Sequence, residues 1–110
     1  MDMHVLLKEA ERMKETITAD RRTLHRNPEA GPDLPETAAY VKRRLEEMGY
    51  VPRELAGGIT ADITGADTGR CILLRADMDA LRIREETGLE FQSENGNMHA
   101  CGHDCHTAML

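Results

Sequence analysis

The N-terminal part of the chain repeats its apolar positions with the period of an α-helix. These positions recur at spacings of 4, 3, 4 and 7 residues, at Leu6, Ala10, Met13, Ile17 and Leu24. Such spacings place the side chains on one face of a helix, with the charged residues between them facing solvent. The helix should end at Asn27, because the residue before a proline is pushed away from helical backbone angles.

A second helical pattern covers residues 34–48. Asp33 is the predicted N-cap and Pro35 suits the first turn. Gly49 is the expected C-terminal stop. The apolar stripe of this helix consists of Ala38, Val41, Leu45 and Met48.

After Gly49 the pattern changes to that of strands. Residues 51–55 predict a short edge strand, because Pro52 lacks an N–H donor. Residues 59–64 alternate apolar and polar side chains, as in a half-buried strand. Residues 71–74 form a continuous apolar run, typical of a central strand covered on both faces. With a further helix at the C-terminus, this order predicts an α/β fold whose sheet continues beyond these residues.

Charge and composition exclude several classes of protein. The net charge of −6 and the pI near 5.3 argue against a nucleic-acid partner. No apolar run approaches the length of about 18 residues that a membrane span needs. The first residues lack a signal-peptide core, which predicts a cytoplasmic protein. An odd number of cysteines, 3, makes a disulfide framework unexpected.

Histidines and cysteines concentrate near the C-terminus. A window of eight residues holds three of the five histidines and two of the three cysteines: His99, Cys101, His103, Cys105 and His106. Imidazole and thiolate are the usual ligands of borderline transition metals, so the window predicts part of a metal site. Asp104 is either a further ligand or a partner that fixes a histidine tautomer. A zinc ribbon needs a second ligand pair, and upstream only Cys71 is present, which we interpret as a buried apolar residue.

Two aspartates, Asp77 and Asp79, directly follow the predicted central strand. Sites in open α/β sheets lie beyond the carboxyl ends of strands, so these carboxylates either bind a cation or orient a metal-bound histidine. Alternatively they cap a turn and pair with nearby arginines. Residues 85–88 are interpreted as a solvated turn, and His4 and His25 as surface or capping histidines.

Three motifs together resemble a known family. They are Leu-His-Arg-Asn-Pro-Glu at 24–29, Arg-Ala-Asp-Met-Asp-Ala-Leu at 75–81 and Met-His-Ala-Cys-Gly-His-Asp at 98–104. In this order and spacing they are similar to the N-terminus of the metal-dependent amidohydrolases. That family includes bacterial N-acyl-amino-acid hydrolases, hippurate hydrolases and plant indole-acetyl-amino-acid hydrolases. The resemblance covers essentially the whole chain.

The resemblance implies a site with two divalent metal ions, usually zinc, manganese, cobalt or nickel. Cys101 and His103 match the family's metal ligands, and Asp79 matches an aspartate that supports the site. Asp77, Asp104 and His106 are the expected residues around these ligands. The implied reaction is hydrolysis of an N-acyl amino acid, a small-molecule substrate, to a carboxylate and a free amino acid.

The resemblance also implies a larger protein. Residues 1–110 match the N-terminal portion of a metallohydrolase catalytic domain of the zinc-peptidase type, without the general-base glutamate, the remaining ligands or the inserted dimerisation domain. We expect the full-length protein to be active and to form a homodimer or homotetramer. If 110 residues are the entire polypeptide, we expect a non-catalytic metal-binding fragment. A metallo-aminopeptidase or dipeptidase of the same superfamily is the other alternative.

Overall fold

The computed structural model describes residues 2–66 and 68–110. Its elements are α1 (Met3–Arg26), α2 (Pro35–Glu47), β1 (Arg53–Leu55), β2 (Gly58–Thr60) and α3 (His103–Met109). The predicted α/β class is confirmed. Among the described residues, no helix combines the length and the apolarity needed to cross a membrane.

Helix α1 has the predicted extent but buries less of its apolar face than predicted. Asp2 caps it by accepting a hydrogen bond from the His4 backbone N–H at 2.9 Å. Leu6 and Met13 remain about half exposed, whereas Leu24 and His25 are buried. Only the last turns of α1 therefore contribute to the interior, and these turns contact α3.

Helix α2 begins where the sequence predicts, but Asp33 does not cap it. Leu34 occupies the N-cap position, and its side chain makes no capping hydrogen bond. Instead, the Glu29 carboxylate accepts from the backbone N–H groups of Glu36 at 3.2 Å and Thr37 at 2.6 Å. A carboxylate at this position also complements the positive end of the helix dipole. The predicted stop at Gly49 is confirmed, with a φ of +90°.

The β-structure is smaller than predicted. Strands β1 and β2 form an antiparallel hairpin in which Arg53 pairs with Thr60 and Leu55 with Gly58. The predicted central strand at 71–74 is wrong: this segment is not paired into a strand, and Ile72 and Leu73 are 85% and 89% exposed. Cys71, interpreted as a buried apolar residue, is exposed for the same reason. An apolar run becomes a central strand only beside paired neighbours, and the described part of the chain provides none there.

Short backbone bridges hold the aspartate segment after residue 74 in place. The Ala80 N–H donates to the Glu29 carbonyl at 2.7 Å, and Leu81 and Met98 exchange two hydrogen bonds of 2.9 Å. These bridges place Asp77 and Asp79 close to α3. They also connect the aspartate segment to the loop that follows α1. Among the described residues the interior is mostly polar, since the buried polar residues (His25, Thr37, Glu85, Ser93, His99 and Asp104) outnumber the buried apolar ones (Leu24, Pro28, Leu34 and Ala80).

Candidate metal centre

Asp77, His103 and His106 form a group with metal-ligand chemistry. Each offers one ligand atom, and these atoms all lie within 4.8 Å of one another. His106 Nδ1 lies 2.7 Å from one Asp77 carboxylate oxygen, and His103 Nε2 lies 3.4 Å from the other. Two imidazoles and a carboxylate are a donor set that suits divalent transition metals.

Helix α3 brings the two histidines together. They are three residues apart, which places them on one helix face, and their rings stack with centroids 5.4 Å apart. Gly102 precedes the helix with a φ of +91°, a left-handed conformation that glycine adopts without steric cost. The Thr107 hydroxyl donates to the Asp77 carbonyl at 2.8 Å and so ties α3 to the aspartate segment.

Asp79 contacts the His103 ring at Nδ1, whereas Asp77 lies near Nε2. His103 Nδ1 lies 2.9 Å from an Asp79 carboxylate oxygen and 3.0 Å from the Asp79 carbonyl oxygen. Two acceptors at Nδ1 favour the tautomer that carries its proton there, which leaves the Nε2 lone pair directed toward Asp77. This is the arrangement that a histidine needs in order to act as a metal ligand through Nε2.

The charge of Asp77 depends on the neighbouring histidines. The hydrogen bond with His106 lowers the pKa of Asp77, and this effect outweighs burial, which raises the pKa. Asp77 is therefore an ionised carboxylate, and thus a competent ligand, at neutral pH.

Cys101 stands apart from this group. Its thiol is free and the residue is exposed, and the convergent group found among the described residues does not include it. Cys105, also a free thiol, is half-buried on α3. The role of Cys101 as a ligand stays a prediction from the family resemblance.

A buried ionic network connects α3 to α1 and to the segment around residue 85. Asp104 is fully buried and accepts a hydrogen bond from Arg21 Nε at 2.8 Å. His25 Nδ1 lies 2.8 Å from the same Asp104 oxygen, and His25 Nε2 lies 2.9 Å from Glu85. The Ser93 backbone N–H donates to Glu85 at 2.9 Å.

This network holds two carboxylates in their charged form. Burial raises the pKa of Asp104, but the hydrogen bond with His25 and the charge of Arg21 outweigh burial and lower the pKa. Burial also raises the pKa of Glu85, and hydrogen bonds from Ser93, Thr87 and His25 bring it down to about 2. Both carboxylates are therefore ionised inside the protein.

Two predictions from the sequence are wrong at this network. His25 is 2% exposed and is neither a surface nor a capping histidine, and Glu85 is 4% exposed rather than part of a solvated turn. The position of His25 directly after the buried Leu24, and one helical turn after Arg21, was a usable signal. For Glu85 the local sequence holds no such signal, because its partners are remote.

His99 is a buried histidine whose ring nitrogens have no hydrogen-bond partner among the described residues. The residue is 4% exposed, and burial lowers its pKa, so the ring is neutral near pH 7. Leaving a buried polar group unpaired costs about 1–3 kcal/mol. The ring therefore has unused donor and acceptor capacity beside the metal-ligand group.

Comparison with known proteins places this geometry in context. Residues 73–110 match the model of Peptidase family M20/M25/M40. The chain is 46% identical over 101 residues to an N-acetyl-L-cysteine deacetylase of Bacillus subtilis, covering 89% of this chain and 24% of that protein. It is 45% identical over 101 residues to an N-acyl-L-amino acid amidohydrolase of Geobacillus stearothermophilus, covering 89% of this chain and 27% of that protein.

A solved structure agrees with these sequence matches. The chain superposes with a TM-score of 0.82 and 39% identity on a Bacillus subtilis protein described as a dinuclear metal-binding peptidase of the M20 family. The match covers 89% of this chain and 28% of that one. The chain thus spans about a quarter of the length of the relatives it matches. The resemblance predicted from the sequence is confirmed: the chain is similar to amidohydrolases and to peptidases of the M20 family.

Proposed function

We propose that the full-length protein hydrolyses the amide bond of N-acyl amino acids with the help of divalent metal ions. The observation that carries the proposal is the convergence of Asp77, His103 and His106, whose ligand atoms lie within 4.8 Å of one another. This convergence falls inside the segment that matches the peptidase family. The names of the deacetylase and amidohydrolase relatives support an N-acyl amino acid as the substrate class.

The residues present fit a metal ion. The donor set combines a carboxylate with two imidazoles, and the unpaired nitrogens of buried His99 lie in the same region of the chain. Asp77, His103 and His106 would hold the ion, with Cys101 as a further ligand. Zinc, manganese, cobalt and nickel all suit such a set, and the dinuclear relative supports two ions per subunit.

The protein's own residues prepare this site. A bound divalent ion supplies polarisation of the amide carbonyl and activation of water near neutral pH. Asp79 fixes the His103 tautomer at Nδ1, so Nε2 is available as a donor atom. Asp77 carries negative charge between the two imidazoles, which balances the positive charge of a cation placed there.

The natural full-length protein allows a direct test by variants. Hydrolysis of a panel of N-acetyl and N-benzoyl amino acids should be measured with added manganese or zinc for wild type, His103→Ala and Cys101→Ala. His4→Ala, at the exposed start of α1, is the matched histidine control. We expect at least a hundredfold loss in His103→Ala and Cys101→Ala and none in His4→Ala. Wild-type activity in His103→Ala would contradict the proposal.

A peptidase is the second candidate function. The matching family model and the similar solved structure both carry the name peptidase. Unacylated dipeptides in the same panel separate the two functions. Faster release of amino acids from dipeptides than from N-acyl amino acids would favour a metallo-aminopeptidase or dipeptidase.

We also propose a cytoplasmic location and a homodimer or homotetramer for the full-length protein. The family resemblance supports the proposed oligomer. Light scattering on the purified full-length protein measures the mass of the assembly directly, and a monomer would contradict the proposed oligomer.

A further inference from the structure

We infer that His25, backed by Glu85, is a positioning residue that holds the metal-binding helix α3 in place through Asp104. The inference rests on the proposed function, since it concerns the same metal site. It rests on a series of buried contacts. The Ser93 N–H contacts Glu85, Glu85 contacts His25 on α1, and His25 contacts Asp104 on α3.

Asp104 is the point at which α1 holds α3. It directly follows His103 and precedes His106 by two residues, so its side chain leaves α3 about 100° around the helix from His103, on a different face from the two histidines. Its carboxylate contacts Arg21 and His25, both on α1, at 2.8 Å, and it is fully buried. Fixing this carboxylate fixes the rotation of α3 about its axis, and with it the direction of both imidazoles.

Glu85 fixes the His25 ring at Nε2, the nitrogen that does not face Asp104. The two ring nitrogens of His25 face Asp104 on one side and Glu85 on the other, so the ring cannot turn without losing a contact. Glu85 is itself held by the Ser93 N–H at 2.9 Å and the Thr87 hydroxyl at 2.5 Å. Phe91 contacts the His25 ring edge-to-face at 5.6 Å.

Helix α3 depends on such contacts because it is short and has no side-chain cap at its N-terminus. It has seven residues, and its N-cap residue, Gly102, has no side chain to cap the first turn. Helices this short are not stable without tertiary contacts. Groups that orient metal ligands typically account for about 10–100-fold in metal affinity, so loosening α3 should be measurable at the metal.

The test compares His25→Gln with a matched control in the natural full-length protein. Glutamine retains a polar side chain but cannot contact Asp104 and Glu85 at once. The control is Asp20→Asn, which breaks another α1 ion pair, that of Asp20 with Arg44 at 2.8 Å, at the contact with α2. Manganese and zinc affinities should be measured by calorimetry, and stability by urea denaturation. We expect His25→Gln to lose about 10–100-fold in metal affinity and Asp20→Asn to lose stability alone.

Further variants show whether the contacts act as one unit. Glu85→Gln should lower metal affinity in the same direction as His25→Gln, and it serves if His25→Gln does not fold. The double variant His25→Gln with Asp104→Asn should lose less affinity than the sum of the single losses, because both act through one contact.

The possible results separate this inference from the proposed function. Wild-type metal affinity in His25→Gln or in Glu85→Gln, or an equal loss of affinity in Asp20→Asn, would overturn the positioning role alone. A wild-type protein that binds neither manganese nor zinc would overturn the proposed function and, with it, the inference.

Discussion

At the scale of single residues, the site depends on charged groups held in fixed directions by partners far away in the sequence. The residue types alone predicted metal chemistry in the window of histidines and cysteines. In the structure, two histidines of this window converge with Asp77. The burial of Glu85 could not be predicted, because it depends on a contact with His25, 60 residues away in the sequence. Local patterns cannot encode such contacts.

The pKa of Glu85 predicts how stability depends on pH. Its pKa in the folded protein, about 2, lies below the ordinary value of 4.5, so ionised Glu85 stabilises the fold above about pH 4.5. That stability is lost as pH falls from about 4.5 to 2. Urea denaturation between pH 7 and pH 3 should show a flatter pH dependence for Glu85→Gln than for wild type. Glu46→Gln, exposed on α2, is the control, and equal slopes in wild type and Glu85→Gln would contradict the assignment.

Asp79 provides a second prediction for a single residue. Asp79→Ala removes the carboxylate that contacts His103 Nδ1 at 2.9 Å and leaves only the backbone carbonyl of residue 79 as an acceptor, so the ring is held less firmly. We expect metal affinity to fall about tenfold or more in calorimetry. Asp62→Ala, which removes an exposed ion pair with Arg53, should leave metal affinity unchanged. An unchanged affinity in Asp79→Ala would argue against the orienting role.

At the scale of elements, the helices were predictable and their caps were not. Periodicity, Pro28, Pro35 and Gly49 are local signals, and they gave the ends of α1 and α2 to within a few residues. The cap of α2 comes from Glu29 in the preceding loop, because loop geometry rather than sequence distance decides which carboxylate reaches the helix. The strand at 71–74 required neighbours outside the local sequence, which the apolar run cannot specify.

The cap of α2 can be tested by a pair of variants. Glu29→Ala removes the acceptor for two backbone N–H groups and should cost about 1 kcal/mol in the free energy of unfolding. Asp33→Ala, at the position that the sequence favoured, should change the free energy of unfolding by much less. Urea denaturation measures both, and the reverse order of effects would contradict the observed cap.

At the scale of the whole molecule, the described chain combines a polar, well-connected centre with an exposed apolar segment. Ile72, Leu73 and Leu74 are 71–89% exposed, whereas the residues around Asp104 are buried and paired. This buried ionic centre lies next to the group of Asp77, His103 and His106, on which the functional proposal rests. The family motifs predicted Asp104 beside the metal ligands, but the sequence did not predict its buried contacts with Arg21 and His25.

The exposed apolar segment predicts self-association of the 110-residue chain by itself. Exposed apolar segments with unpaired backbone groups promote edge-to-edge association. Leu73→Lys should reduce association in analytical ultracentrifugation, whereas Leu7→Lys, on the exposed part of α1, should reduce it less. A 110-residue chain that stays monomeric at high concentration would contradict this expectation.

We propose that the group of Asp77, His103 and His106 serves metal-dependent amide hydrolysis in the full-length protein. The most direct measurement is the release of amino acid from N-acetyl and N-benzoyl amino acids by the natural full-length protein, before chelation, after chelation and after manganese or zinc is restored. We expect activity that is lost on chelation and recovered when the metal is restored. Hydrolysis that continues unchanged after the metal is removed would contradict it.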